Sequence, residues 1–276
     1  MLDGFLDITE SECVSVRIAS NFHTHNYLCG HAGGTVADYV REAVARGMQT
    51  IGISDHCIAP VGSYEPYFTP ETMRELYLPQ FDEARKLYGD RIEIAAGAEI
   101  EYFDGCDSHY RELLKDLDYL VLGQHEYMHG GRRRNSFCDG VGEDNIVAYF
   151  ESVQAGIKSG YFAFVAHPDL IFYRRPNITD AIVDAFDKTV RTAVECGVPL
   201  ELNANGIRSH GFRYPTDMLV DLCEKHGAKV IVSSDSHSPD ALCDAYMRRL
   251  YAYAIKRGLN VVDRIVYGGS SRGRAQ

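Results

Sequence analysis

Asn21-Phe22-His23-Thr24-His25-Asn26-Tyr27-Leu28-Cys29-Gly30-His31 is the segment from which the fold of this chain can be read. It follows Val14, Val16 and Ile18, an alternation that predicts a strand over 14–22. Side chains two apart on a strand share a face. His23 and His25 therefore leave the strand end together, with His31 a short loop away. Neutral imidazole is the commonest metal-ligating side chain, and an aligned pair makes half a site. In isolation, two hydrogen-bonded core histidines would give the same pattern. It returns, however, near the other end of the chain as Asp235-Ser236-His237.

Between these two segments, short β-branched runs alternate with helical periodicity. Strands are expected at 14–22, 49–54, 92–98, 118–123, 162–166, 199–203 and 229–234. Amphipathic helices at about 35–46, 70–88, 108–115, 143–159, 179–196, 214–226 and 238–256 fill the intervals. Gly47, Gly160, Gly197 and Gly227 fall where left-handed helix ends are wanted. Thr35, Thr69, Thr179 and Ser238 stand at N-cap positions, with Pro70 and Pro239 opening their helices. Seven such βα units predict a parallel sheet with right-handed crossovers, wound open or closed as a barrel. No linker breaks the alternation, so 1–268 is expected to be one domain and 269–276 a disordered tail.

The polar residues choose between open and closed. His23 and His25 follow strand one, Asp55 and His56 strand two, Glu99 strand three and His125 strand four. His167 follows strand five, Asn203 strand six, and Asp235 with His237 strand seven. Each lies at a carboxyl end, the face where α/β folds build their sites. An open sheet would strand the outer ones too far apart to share a cluster, so the ligands themselves favour closure. With His31, seven histidines plus Glu99 and Asp235 give nine candidate ligands. A catalytic zinc takes about three protein ligands, so one metal does not account for nine. Imidazole and carboxylate with little thiolate suit zinc, iron or manganese rather than calcium or magnesium.

Composition narrows the functions further. The chain has 276 residues, 45% hydrophobic and 24% charged, with a formal charge of −11. An acidic chain lacks the basic face of a nucleic-acid groove. Its one dense basic cluster, Arg132-Arg133-Arg134, is expected in an exposed Gly-rich loop, solvated or serving as a phosphate-grasping lid. No apolar run approaches the length of a membrane span. The acidic N-terminal stretch has no basic leader, so a cytoplasmic setting is expected. The eight cysteines are scattered without a Cys-x-x-Cys pair and are expected to be reduced packing groups. Cys29 and Cys57 lie beside candidate ligands, but packing is the preferred reading for both.

The motifs His23-Thr-His25 with His31, Ser54-Asp55-His56, Gly97-Ala-Glu99, His125, His167-Pro-Asp169 and Ser234-Asp235-Ser-His237 resemble those of the polymerase and histidinol phosphatase (PHP) metal-dependent phosphoesterases. They span residues 21 to 240 in order. The runs Phe22–His56 and Glu201-Leu-Asn-Ala-Asn-Gly-Ile-Arg208 look most like the standalone histidinol-phosphatase branch. The fourth motif, Gly-Gln-His-Glu, and the Arg-rich segment after it depart from that branch.

The resemblance implies a distorted (β/α)7 TIM-like barrel with three metal ions (zinc, iron or manganese) at the C-terminal ends of the strands. One ion would be held by His23, His25, Glu99 and Asp235. A second would share Glu99 and add His125 and His167; the third would take His31, His56 and His237. The implied reaction is hydrolysis of a small phosphorylated metabolite by a metal-activated hydroxide. L-histidinol phosphate, of histidine biosynthesis, is the expected substrate. Glu99 would bridge two ions, and the leaving group would be served by Asp235 through a water, or by a metal. Arg208 is the chosen cation for the phosphate, and a surface arginine is its plain alternative. Asn203 and His210 are candidate substrate contacts; Asn203 and Asn205 would otherwise cap their turn, and Asp169 could orient a ligating imidazole. The alternatives are a phosphoesterase acting on other phosphomonoesters, nucleotides or short oligonucleotides, and a non-catalytic metal-binding regulatory domain. No nucleic-acid polymer and no membrane is an expected partner, and the oligomeric state is left open.

Overall fold

The computed structural model describes residues 2–61, 68–139 and 141–267; the tail expected to be disordered, 269–276, lies outside them. Ten strands are described: β1 Ser20–Asn21, β2 Thr50–His56, β3 Glu93–Ile100, β4 Tyr119–Leu122, β5 Glu126–His129, β6 Arg132–Asn135, β7 Phe162–Val165, β8 Leu200–Asn203, β9 Lys229–Ser233 and β10 Asn260–Val261. Eight of them form one parallel sheet in the order β1-β2-β3-β4-β7-β8-β9-β10. Helices Val36–Ala45, Leu78–Tyr88, Asp107–Leu113, Glu143–Ser159, Asp180–Cys196, Asp217–His226 and Ala245–Lys256 accompany it.

Period-two alternation sorts the strand residues into two apolar layers. Ile94, Ala96, Ala98 and Ile100 of β3, with Leu120 and Leu122 of β4, join the helix-facing core. Ala95, Tyr119, Val121, Phe164, Ala166 and Ile231 pack with Phe22 as a separate cluster inside the curl. Tyr119 fills much of that interior, and its hydroxyl donates to the Phe22 carbonyl at 2.8 Å. A Cβ on Gly97 would stand 2.3 Å from the Tyr119 ring, so this strand position has to be glycine.

The sheet curls until its ends meet at the carboxyl rim. Thr24 and Ser236 form a parallel bridge, the His25 amide donates to the Ser236 carbonyl at 2.9 Å, and the Ser234 amide donates to Asn21 Oδ1 at 2.8 Å. At the opposite end β10 pairs with the start of β9, through Asn260 with Lys229 and Val261 with Val230. This is a distorted TIM-like barrel, closed where the candidate ligands lie.

The expected strands hold, with β5, β6 and β10 added, but some boundaries move. Glu10–Ser15 is a short helix rather than the start of a strand, and Val14 is exposed. A capping box explains it: the Thr9 side chain accepts from the Glu12 amide and Glu12 accepts from the Thr9 amide. Local capping therefore outweighs a weak alternation. Thr35, Thr69 and Thr179 cap as expected, whereas Ser238 caps nothing and Pro239 opens a three-residue 3-10 turn. The last helix begins at Ala245 instead, with the Asp244 side chain accepting from the Met247 amide. Nor is Arg132–Arg134 a loop. It forms β6, antiparallel to β5 across a Gly130-Gly131 turn in which both residues have positive φ, as a two-residue hairpin requires. No helix among the described residues is long and apolar enough to cross a membrane.

Candidate metal centre

Each unit of the barrel delivers its ligand in a different way. His23 and His25 flank the Thr24 bridge that closes the rim, so the closure itself aims both rings inward. His56 ends β2 and Glu99 projects from β3 beside it, their backbones paired in register. His125, His167, Asp235 and His237 follow β4, β7 and β9. His167 and Asp235 take positive φ values of 28° and 43°. Such backbones cost about 1–3 kcal/mol each for a residue other than glycine, and they cluster where side-chain aim matters.

The nine candidates converge. Glu99, 1% exposed, has His167 Nε2 at 2.9 Å and His125 Nε2 at 3.5 Å from Oε1. Its Oε2 faces His56 Nδ1 at 3.0 Å, His23 Nε2 at 3.4 Å and His25 Nε2 at 3.6 Å. His23 Nε2 and His25 Nε2 stand 3.1 Å apart, and Asp235 Oδ1 lies 3.1 Å from the latter. His31 is exposed at the rim, its ring 4.9 Å from that of His237 and 5.3 Å from that of His56. His25, His56 and His237 group together, as do His56, Glu99 and His125, so His56 stands between two sets rather than in one.

The fit to metal ions rests on what these groups lack. Both Glu99 oxygens and Asp235 Oδ1 are buried without an aligned hydrogen-bond partner. Buried carboxylate oxygens are costly to leave unsatisfied, and cations answer that need. Ligation needs ionised carboxylates and neutral imidazoles. Both carboxylates are held ionised, whereas the imidazoles divide, with His56 and His237 lowered and His23, His25 and His125 raised against burial by the carboxylates around them. Burial would raise Glu99, yet His125, His23, His56 and the His167 ring 2.9 Å away hold it well below the carboxylate range. Asp235 behaves likewise beside His23 and His25. Burial, reinforced by His25, lowers His237 to about 3 and drives His56 well below its ordinary value.

A shell of acceptors that sequence reasoning missed fixes the rings. Glu201 Oε1 takes His23 Nδ1 at 2.7 Å, Asp55 Oδ1 faces His25 Nδ1 at 3.3 Å, and Glu101 Oε1 faces His125 Nδ1 at 3.2 Å. Each carboxylate holds the proton on Nδ1 and leaves Nε2 free to ligate. Glu201 also accepts from the His167 amide at 2.8 Å and from Asn203 Nδ2 at 2.8 Å. The sequence did carry a signal for it: a carboxylate within the apolar run Leu200-Glu201-Leu202 cannot be buried without partners. Glu201→Gln should weaken metal retention and turnover by about 10–100-fold with the fold intact. Metal analysis of the purified variant checks this, and wild-type metal content would refute the role.

Other expected contacts move. The Arg208 Nε donates to Asp244, while Nη1 and Nη2 donate to the carbonyls of Ser234 and Ala241 at 3.1 and 3.2 Å. Its fork braces the β9 loop, and Arg208 is not among the residues that line the cavity over the cluster. Asn203 is fully buried, donates to Glu201 and Asp235, and caps Gly206, which places it behind the cluster rather than against a substrate. Asp169 accepts from the Thr216 amide at 2.6 Å. Cys29 donates to the Asn26 carbonyl, and burial raises its thiol to about 12, as a packing group. His210 does reach the site. It lines a cavity of about 480 Å³ above the cluster, together with Phe137, Asn205, Ser209 and Tyr214.

Fold and site define a TIM-like α/β barrel with a histidine–carboxylate metal centre at the carboxyl ends of its strands. The chain belongs to the PHP family: the PHP domain matches residues 21–205. Among curated relatives, a protein of Schizosaccharomyces pombe named "Probable histidinol-phosphatase" is 26% identical, the match covering 80% of this chain and 81% of that one. A Deinococcus radiodurans protein with the same name is 24% identical, over 79% and 85% of the two chains. The fold matches the crystal structure of histidinol phosphate phosphatase from Lactococcus lactis, complexed with zinc, L-histidinol and phosphate. The TM-score is 0.69 at 15% identity, covering 90% of this chain and 99% of that one.

Proposed function

We propose that this protein is a metal-dependent phosphomonoesterase that hydrolyses L-histidinol phosphate to L-histidinol. The observation that carries the reaction class is the Glu99 carboxylate, buried, ionised and ringed by five imidazoles at the floor of an open cavity. The substrate rests on the relatives named histidinol-phosphatase and on the ligands of the Lactococcus lactis structure. A cavity of about 480 Å³ suits a small metabolite, and a chain of net charge −11 does not repel one that carries an ammonium group.

Three ions would be held as the motifs imply: by His23, His25, Glu99 and Asp235; by Glu99, His125 and His167; and by His31, His56 and His237. Bound there, such ions would acidify a water near neutral pH and offset phosphate charge. The chain's own groups do the rest. Glu201, Asp55 and Glu101 fix the imidazole tautomers, and Asn203 and Asn205 restrain Asp235 at 3.0 and 3.4 Å.

Metal content measured alongside hydrolysis of histidinol phosphate, other amino-alcohol and sugar phosphates and short oligonucleotides tests the reading. Turnover highest on histidinol phosphate in metal-loaded protein is expected. Bound metal with no turnover on any of them would overturn it.

A further inference from the structure

Seven of the residues lining the cavity belong to the candidate ligand set; the others are Phe137, Asn205, Ser209, His210 and Tyr214. The described lining holds no lysine or arginine. Phenylalanine, an amide and an aliphatic hydroxyl do not titrate near neutrality, and burial pushes the Tyr214 phenol far above its ordinary range. His210 is therefore the one described lining group outside the ligand set that can exchange a proton at working pH.

The His210 ring is clamped by aromatic neighbours. It stacks on Tyr214 with centroids 5.6 Å apart, lies 6.0 Å from Phe137 and meets the Tyr173 ring edge-on at 5.6 Å. Tyr214 in turn sits 5.8 Å from His167, and Phe137 lies parallel to His125 at 6.3 Å. The imidazole is thus held over the His125–His167 side of the cluster. The charged or titratable groups around it are Asp235 and His167 below, Tyr214 and Tyr173 beside it, and Arg213, whose guanidinium lies over the Tyr173 ring.

We propose that His210 is the general acid that protonates the leaving alkoxide of the phosphomonoester. The inference rests on the phosphomonoesterase reading above. A water oxygen bonds to phosphorus as the ester P–O bond breaks. The electron pair of that bond stays on the leaving oxygen, which takes the imidazolium proton of His210. The proton shed by the attacking water passes to solvent, and His210 is reprotonated from solvent. An alkoxide is a poor leaving group, so this proton belongs in the transition state. Burial lowers the His210 imidazole, Asp235 opposes that, and an incoming phosphate dianion would add to the opposing pull.

The test compares wild type with His210→Gln and His210→Asn on two esters: histidinol phosphate, with an alkyl leaving group, and p-nitrophenyl phosphate, whose leaving group departs without a proton. A positioned acid contributes about 10²–10⁴-fold. The expected result is a kcat loss of about 10²-fold on the alkyl ester and a loss at least tenfold smaller on the aryl ester, with metal content retained. The limb of the alkyl-ester kcat profile that falls with rising pH should vanish in both variants. Equal losses on the two esters, or a rise in KM with kcat unchanged, would overturn the acid role alone. A metal-loaded wild type inactive on both esters would overturn the phosphomonoesterase reading, and the acid with it.

Discussion

Glu99→Gln should lower turnover by about 10³-fold, the upper range for removing one preorganised electrostatic group from an active site, and leave protein depleted of metal. The substitution keeps the shape of the side chain, so the fold should persist. What it removes is the charge on which His23, His25, His56, His125 and His167 all converge, the farthest at 3.6 Å. A neutral amide would also turn an NH₂ toward ligating nitrogens, where a lone pair is needed. Of the nine candidates, Asp235 would be the one remaining carboxylate to balance bound cations. Metal analysis and steady-state kinetics on the same preparation decide the matter. Wild-type turnover with full metal content would remove Glu99 from the centre of the site.

Gly123→Ala reaches the same carboxylate from the backbone. Gly123 follows β4, and a Cβ placed there would stand 2.1 Å from Glu99 Oε1 and 2.5 Å from its Cδ and Cγ. The carboxylate is the movable partner in that clash, so the loss should fall on function more than on folding. Displacing a reacting or ligating group by about 1 Å costs on the order of 10²-fold. The expected outcome is a kcat loss of that size with reduced metal content and a thermal midpoint close to wild type. A variant with normal metal content and normal kcat would show that Glu99 can move without consequence. An unfolded variant would show that the contact is structural.

The convergence of the candidate ligands was legible in the sequence because barrel topology turns chain order into place. Each of His23, His25, His56, Glu99, His125, His167, Asp235 and His237 lies at a strand's carboxyl end, and closure brings those ends together. The start of β1 was read too early, since Thr9 and Glu12 cap a local helix that alternation alone does not reveal. The basic triplet 132–134 was read as a loop because its hairpin depends on a two-glycine turn and on cross-strand pairing.

What the sequence determined by itself was the parallel βα order and the residues that ring its rim. Period-two and period-3.6 patterns, caps and strand-end polarity are local properties. Only the tertiary structure decided which way each side chain faces once it arrives. Arg208, chosen for its charge, turns away to Asp244 and two carbonyls. Glu101 and Glu201, which carried no assigned role, hold the imidazoles. His210 gains its place from Tyr214 of its own segment and from Phe137 and Tyr173, which lie far from it in the chain. Burial and partner choice arise from contacts between segments far apart in the chain, and no local pattern encodes them.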